Sequence, residues 1–343
     1  MEVAADTRQA VVTNYADIPL TNSPGSSVPP AFVHRISKYD PADRDERGHY
    51  NGAEDTVSDH GPVEAAYLEA IVAFAQESGV ERLEIREPEV TGFVNFGLES
   101  PIDGHGLAGL FPPDLTGYHD GAEVSVPVAL ELVGAMLRDQ GAWCRLEQQD
   151  TFTVHVGWDQ YLYVGHDRPC EAAVARTREL GLFAEPITAS PYAADLEEPE
   201  VTQAADAEFW DRIRAALAAS RTFLLEETYV RNATRWHRLT ETNLEAVRAA
   251  LGPRALLTFW PDLTPDVDAV LAELPEDESV DFVWEAPNGT IRHVTVDETH
   301  HQRLTTLVAG ARAACFLLLS VDGCHPLFRV ALPDSDGVLR ARW

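Results

Sequence analysis

The chain has 343 residues, with 26 basic and 56 acidic side chains and a formal net charge of −30 at neutral pH. That length suits two domains of ordinary size or one large one, and 45% hydrophobic residues with 22 Gly and 22 Pro exclude collagenous, fibrous and wholly disordered chains. No apolar run approaches the roughly 18 residues a membrane span needs. The first thirty residues hold acids and prolines where a signal peptide needs a basic start and an apolar core, so the expectation is a cytoplasmic protein.

Residues 1–31 mix Thr, Asn, Ser, Pro and Gly without periodicity and read as a flexible lead-in. Phe32–Ile36 is a short strand candidate, followed by a polar segment from Lys38 to Gly61. Pro62 suits a first helical turn, and Val63, Tyr67, Ile71 and Phe74 recur at helical spacing until Gly79 ends the face. Arg82–Arg86 alternates as a strand, and a long Gly- and Pro-rich stretch runs from Glu87 to Val124. Ser125 and Pro127 open a second helix that stops before Gly141. Strands at Trp143–Glu147, Phe152–Val156 and Tyr161–Val164, a helix from Pro169 to Leu180 and a strand at Leu182–Ile187 complete the first half.

Asp195-Leu-Glu-Glu-Pro-Glu200 is acidic and aperiodic, and reads as a linker. Beyond it come a helix at Ala204–Ala219, a strand at Thr222–Val230, a helix capped by Thr240 and stopped by Gly252-Pro253, and a strand at Leu256–Trp260. A helix opened by Thr264-Pro265 leads to strands Val280–Glu285 and Ile291–Val296, which flank Pro-Asn-Gly, a hairpin signal. A helix near His300–Ala311 and strands at Cys315–Leu319 and Leu327–Leu332 finish the chain. The expectation is α+β (mixed α/β): an acidic domain at 32–194 and a second domain at 201–343, joined by 195–200, each a mixed sheet covered by two to four helices.

Residues 1–200 carry 12 basic and 35 acidic side chains, net −23, and residues 201–343 carry 14 and 21, net −7. So negative a field repels phosphate backbones and anionic lipid, which argues against non-specific nucleic-acid or membrane binding, and it attracts a basic protein partner. Acidity of this kind also serves solubility alone. Cys144, Cys170, Cys315 and Cys324 are scattered, without C-x-x-C spacing, and are expected as reduced thiols.

Gly104-His-Gly-Leu-Ala-Gly109 fits G-x-G-x-x-G, but Pro112-Pro113 blocks the helix that would hold a pyrophosphate, so it reads as a glycine-rich loop. Cys170 to Arg176 has the C-x5-R spacing of cysteine phosphatases, yet the residues between are helix formers without glycine; a buried structural thiol is the better reading, although a helix N-terminus and Arg168 nearby lower a thiol pKa. Glu298-Thr-His-His301 supplies one Glu-x-x-His step where a carboxylate-bridged metal pair needs two. No metal and no cofactor is therefore expected.

The segment that stands out runs from His34 to Tyr50 and on to His60. It packs acids, bases, His and Tyr into a loop between a strand and a helix, where binding groups commonly sit. Candidate ligand- or partner-binding residues are Arg35, Lys38, Tyr39, Arg44, Arg47, His49, Tyr50 and His60, with His105 and the aromatic turn Trp158-Asp159. The competing reading is a salt-bridged loop in which Arg44 and Arg47 answer Asp40, Asp43 and Asp45. Together with Gly92–Gly97, Gly104–Pro113 and Val154–Cys170, this segment resembles a family of uncharacterised actinomycete proteins over roughly residues 32–190. The resemblance implies kinship and no mechanism.

Three functions remain open at this level. One is an interaction protein, such as an immunity or antidote protein that neutralises a basic toxin or nuclease with an acidic face. Another is an enzyme or small-ligand-binding protein whose site is the 34–60 loop closed by His105, with imidazoles near neutral pKa. The third, specific RNA recognition, requires a local basic and aromatic patch of Arg35, Lys38, Arg44, Arg47 and Tyr50.

Overall fold

The computed structural model describes residues 30–52, 60–91, 103–157, 160–192, 203–297, 301–319 and 325–343. The lead-in up to residue 29, the proposed linker, Trp158, Asp159, Gly92–Gly97 and Cys324 lie outside these residues. Among the described residues are seven α-helices and fourteen strands in three sheets, and every strand pair is antiparallel. The α+β class holds, and the second half carries two sheets.

The first sheet has seven strands: β1 (Phe32–Ser37), β2 (Arg82–Val90), β3 (Glu123–Ser125), β4 (Ala142–Gln148), β5 (Phe152–Val156), β6 (Leu162–His166) and β7 (Phe183–Ile187), in the order β3-β2-β4-β5-β6-β1-β7. Helices α1 (Pro62–Ser78), α2 (Val126–Leu137) and α3 (Glu171–Glu179) cover one face. The α1 apolar stripe buries Tyr67, Ile71 and Phe74, and the helix ends where Gly79 turns left-handed at φ 74° and its amide returns to the carbonyls of Ala75 and Gln76. Ile36, Ile85, Leu146, Phe152, Val154, Leu162 and Val164 face these helices. By the period of two, their neighbours Arg35, Arg86, Arg145, Glu147, His155, Tyr163 and Glu185 share the opposite face, which is free of helices among the described residues.

In the second half, α4 (Ala207–Ala218) and α5 (Leu244–Ala250) pack on a sheet made of β8 (Phe223–Val230), β9 (Ala233–Leu239), β10 (Leu256–Pro261) and β14 (Phe328–Ala331), ordered β14-β10-β8-β9. The other face of that sheet meets β11 (Val280–Glu285), β12 (Ile291–Val296) and β13 (Ala313–Leu318) through Leu224, Trp236, Leu263, Val283 and Leu317. Helices α6 (Val267–Ala272) and α7 (His301–Leu307) contribute Val270 and Leu304 to the core on the far side of this third sheet. The Asn288-Gly289 hairpin forms as predicted, with Gly289 at φ 84°. Strand β9 is an element the sequence pattern did not reveal. Thr240 is also not the cap of α5, because its own amide donates to Asn243 Oδ1 and Asn243 precedes the helix.

Among the described residues no sheet crosses from one half to the other. One hydrophobic core nevertheless contains Ile36, Leu146 and Phe74 together with Phe209, Leu257 and Phe259. Charge joins the halves as well: Asp120, 3% exposed, accepts from Arg86 Nε at 3.0 Å, the Glu87 amide at 2.9 Å and Arg254 Nη1 at 3.1 Å. Gly121, at φ 79°, leaves room for the Arg254 guanidinium where a Cβ would stand. Cleavage within 195–200 is therefore expected to give fragments of about 20 and 16 kDa that still co-elute under native conditions, since exposed connectors are cut before cores. Fragments that separate on native gel filtration would contradict the shared core.

Candidate functional site

The polar loop after β1 is built by short local closures. Asp40 caps a single 3-10 turn (Pro41–Asp43) by accepting the Ala42 amide at 2.9 Å. Asp45 Oδ1 accepts the amides of Arg47 and His49 at 2.8 and 2.9 Å, and those bonds with the His49 ring hold its carboxyl below the ordinary value. An isolated bridge pairs Arg44 with Tyr50. The loop is thereby folded back on the end of the sheet, beside the turn that leads into β6.

Three tyrosines meet there. Tyr39 lies 4.9 Å from Tyr50 and 5.9 Å from Tyr161 between ring centroids. Cations brace them: Arg44 lies over Tyr161 at 5.2 Å and donates to its hydroxyl at 2.9 Å, Arg35 lies over the same ring at 5.7 Å, and Lys38 lies over Tyr39 at 5.3 Å. Arg35 is itself fixed by two bonds to Glu185 Oε2, at 3.1 and 2.6 Å. All three rings are half-buried, and in the loop that carries Tyr39 and Tyr50 the side chains of Asp43, Asp45, Glu46 and Arg47 are exposed. The result is an ordered aromatic cluster beside a loop with three exposed carboxylates and one exposed guanidinium.

Of the sequence candidates, Arg35, Lys38, Tyr39, Arg44 and Tyr50 thus come together, and Tyr161 joins them. Arg47 and His49 are exposed at the loop tip, where His49 Nδ1 stands 3.4 Å from Asp45. His60 is exposed just before α1. His105 is half-buried in a 3-10 turn (Asp103–Gly106) against the end of α2, where Gly106 approaches Ala135 and Gln140, and its Nδ1 is buried without a hydrogen-bond partner. Trp158 and Asp159 fall outside the described residues. The salt-bridged alternative is realised differently from its expectation: Arg44 answers Tyr161 and the Gly48 carbonyl at 2.9 Å, and the loop carboxylates Asp40 and Asp45 serve backbone amides.

Two histidine environments went unnoticed in the sequence. His34 Nδ1 and His166 Nε2 are 3.0 Å apart, and His166 Nδ1 lies 2.6 Å from the Arg168 carbonyl. That carbonyl makes Nδ1 of His166 a donor and its Nε2 an acceptor for His34. Burial, then His166 and Arg178, brings His34 down to about 4, so both rings are neutral at physiological pH. His155 is 4% exposed in the middle of the helix-free face, with Trp143 and Tyr192 each at 4.9 Å edge-to-face and Tyr163 at 6.3 Å. Neither of its ring nitrogens has a hydrogen-bond partner, and burial followed by Arg145 lowers it to about 3. The V-H-V alternation of β5 placed it on a strand, but Tyr192, remote in sequence, is what encloses it.

Cys170 is a buried thiol, as read from sequence. It sits at the start of α3 with Ser78 Oγ and the Arg168 carbonyl each 3.5 Å from its sulfur, and burial raises its pKa. The glycine-rich run at 104–109 is followed by turns and no helix, which removes a pyrophosphate cradle. Among the described residues no group of His, Cys, Asp and Glu is placed to hold a metal ion, and no helix is long and apolar enough to cross a membrane. Comparison with family models, curated proteins and solved structures finds no match to this chain.

Proposed function

We propose that this protein is an interaction module that binds a basic protein partner through the Tyr39–Tyr50–Tyr161 surface and the exposed carboxylates of its loop, as an antidote to a basic toxin or nuclease would. The observation that supports this is the convergence of three half-buried tyrosines braced by Arg35, Lys38 and Arg44, in a loop that also exposes Asp43, Asp45 and Glu46. Tyrosines held in one rotamer present large contact area at low entropic cost and commonly dominate binding energy. Carboxylates beside such a surface steer a cationic partner and set its association rate. The bracing cations also speak against phosphate recognition, because Arg35 is committed to Glu185 and Arg44 to Tyr161 and Gly48.

The test is capture of a basic partner from native lysate, run in parallel with nucleic acid digested. Tyr39→Ala and Tyr161→Ala are each expected to weaken that binding about thirty-fold, the size of a central aromatic contact. Asp45→Asn with Glu46→Gln should slow association and flatten its salt dependence while leaving dissociation nearly unchanged. Capture that vanishes on nuclease digestion, or that survives both tyrosine variants, would sink this reading.

A further inference from the structure

The segment Asp334–Trp343 crosses from the second half onto the helix-free face of the first sheet. A turn closes its start, with the Asp334 amide on the Val338 carbonyl at 3.0 Å and the Gly337 amide on the Asp334 carbonyl at 2.8 Å. The Arg340 side chain is consumed locally by Asp334 and Asp336, at 2.7–2.9 Å. What the first half grips is the rest of the segment. Arg86 Nη2 donates to the Arg340 carbonyl at 2.8 Å, and Ala341 is buried. Arg342 bonds both oxygens of Glu147 at 3.0 Å, and its Nη1 reaches Glu87 Oε1 at 3.2 Å. Trp343 Nε1 donates to the Arg254 carbonyl at 2.7 Å, and the indole packs with Leu339 on Leu256 and Ala331.

The acidic pair that receives Arg342 is built for a guanidinium. Glu87 is turned onto this face where β2 breaks register between Arg86 and Glu89, at φ 51°, and its second oxygen is held by Arg145 Nε at 3.0 Å. Among the described residues Glu147 has no cation nearer than Arg86, at 4.0 Å, once Arg342 is set aside. A planar fork gives each oxygen of Glu147 its own nitrogen donor in two parallel bonds, a geometry that the single nitrogen of an ammonium does not offer.

We propose that Glu87 and Glu147 form an arginine-binding site, filled in cis by Arg342, at which a basic partner presenting an arginine followed by an aromatic residue displaces residues 338–343. This rests on the same reading of the partner as basic, but not on the tyrosine surface. A tethered segment is held at an effective concentration of the order of millimolar, so a competitor in trans meets a site that is mostly occupied and binds weakly until the segment is loosened.

The probe is the fluorescein-labelled peptide Val-Leu-Arg-Ala-Arg-Trp, followed by anisotropy on the full chain. Arg342→Ala should bind it at least tenfold tighter than the native protein does, and Arg342→Ala with Glu147→Gln should lose that gain. Replacing the second peptide arginine by lysine should weaken binding about tenfold, whereas the same change at the first should not. On the native chain, millimolar peptide should speed hydrogen exchange of the 338–343 amides, a readout that does not depend on any variant folding. An Arg342→Ala protein that melts cooperatively yet binds no tighter, equal response to the two lysine peptides, or unchanged exchange under excess peptide would each overturn the proposal. Tyr161→Ala should leave peptide binding untouched, so failure of the tyrosine surface is read separately, in partner capture.

Discussion

Asp120→Ala should cost about 3–5 kcal/mol of folding stability, measured by urea unfolding of the full chain at pH 7. The carboxylate is almost wholly buried and accepts from two arginines and one amide, so its removal orphans all three donors at once. Arg254 retains Asp334, at 2.8 and 3.0 Å, and Arg86 retains the Arg340 carbonyl, which places the effect within that range and not above it. The loss should fall on both halves together, because Arg86 comes from the first half and Arg254 from the second, and both donate to this carboxylate. A loss under about 1 kcal/mol would mean that the two halves do not depend on the Asp120 knot.

His155 is expected to make the protein acid-sensitive by on the order of 5 kcal/mol, since a folded pKa of about 3 lies well below the ordinary imidazole value. Well above pH 6.5 the ring is neutral whether the chain is folded or not, and stability is unaffected. As pH falls below 6.5 the unfolded chain takes up a proton that the folded chain resists, and stability drops until about pH 3, beyond which the difference is constant. His155→Phe should remove this component from the pH profile of unfolding. At pH 7 the same variant should be at least as stable as the native protein, because it replaces two unpartnered ring nitrogens by carbon within an aromatic enclosure. A pH profile that is the same for both proteins between 6.5 and 3 would show that the enclosure opens to water before the imidazole titrates.

How much of this could be read beforehand varies by element. The α1 stripe and its Gly79 stop, the Asn288-Gly289 hairpin and the three strands β4 to β6 are legible because local periodicity and turn chemistry specify them. Strand β9 was hidden because each of its faces mixes an arginine with an apolar residue: Arg235, on the face of buried Leu239, points to Glu227 at 2.7 Å, and Arg238, on the face of buried Trp236, points to Asp262 and Glu285 at 2.6–2.7 Å. Buried Glu227 shows the same limit. Burial pushes its carboxyl up, but His237, the Gly252 amide and Arg235 outweigh that and hold it below the ordinary value, and none of this is visible in a strand read as Thr222–Val230.

At the candidate site, composition alone marked the 34–60 loop as a cluster of charge, imidazole and tyrosine, and Arg35, Lys38, Tyr39, Arg44 and Tyr50 do gather there. Its true partner, Tyr161, lies 117 residues from Arg44, and the Glu185 that fixes Arg35 lies 150 residues away. Sequence by itself determined the α+β class, most of the elements and the acidic balance, because these depend on local backbone preference and on counting. Only the tertiary structure decided which charges are spent on one another, which face of the sheet is left without helices, and that Arg342 fills the Glu87–Glu147 pair. Such pairings depend on strand register and long-range approach, and a one-residue change in register would send every one of those side chains to the other face.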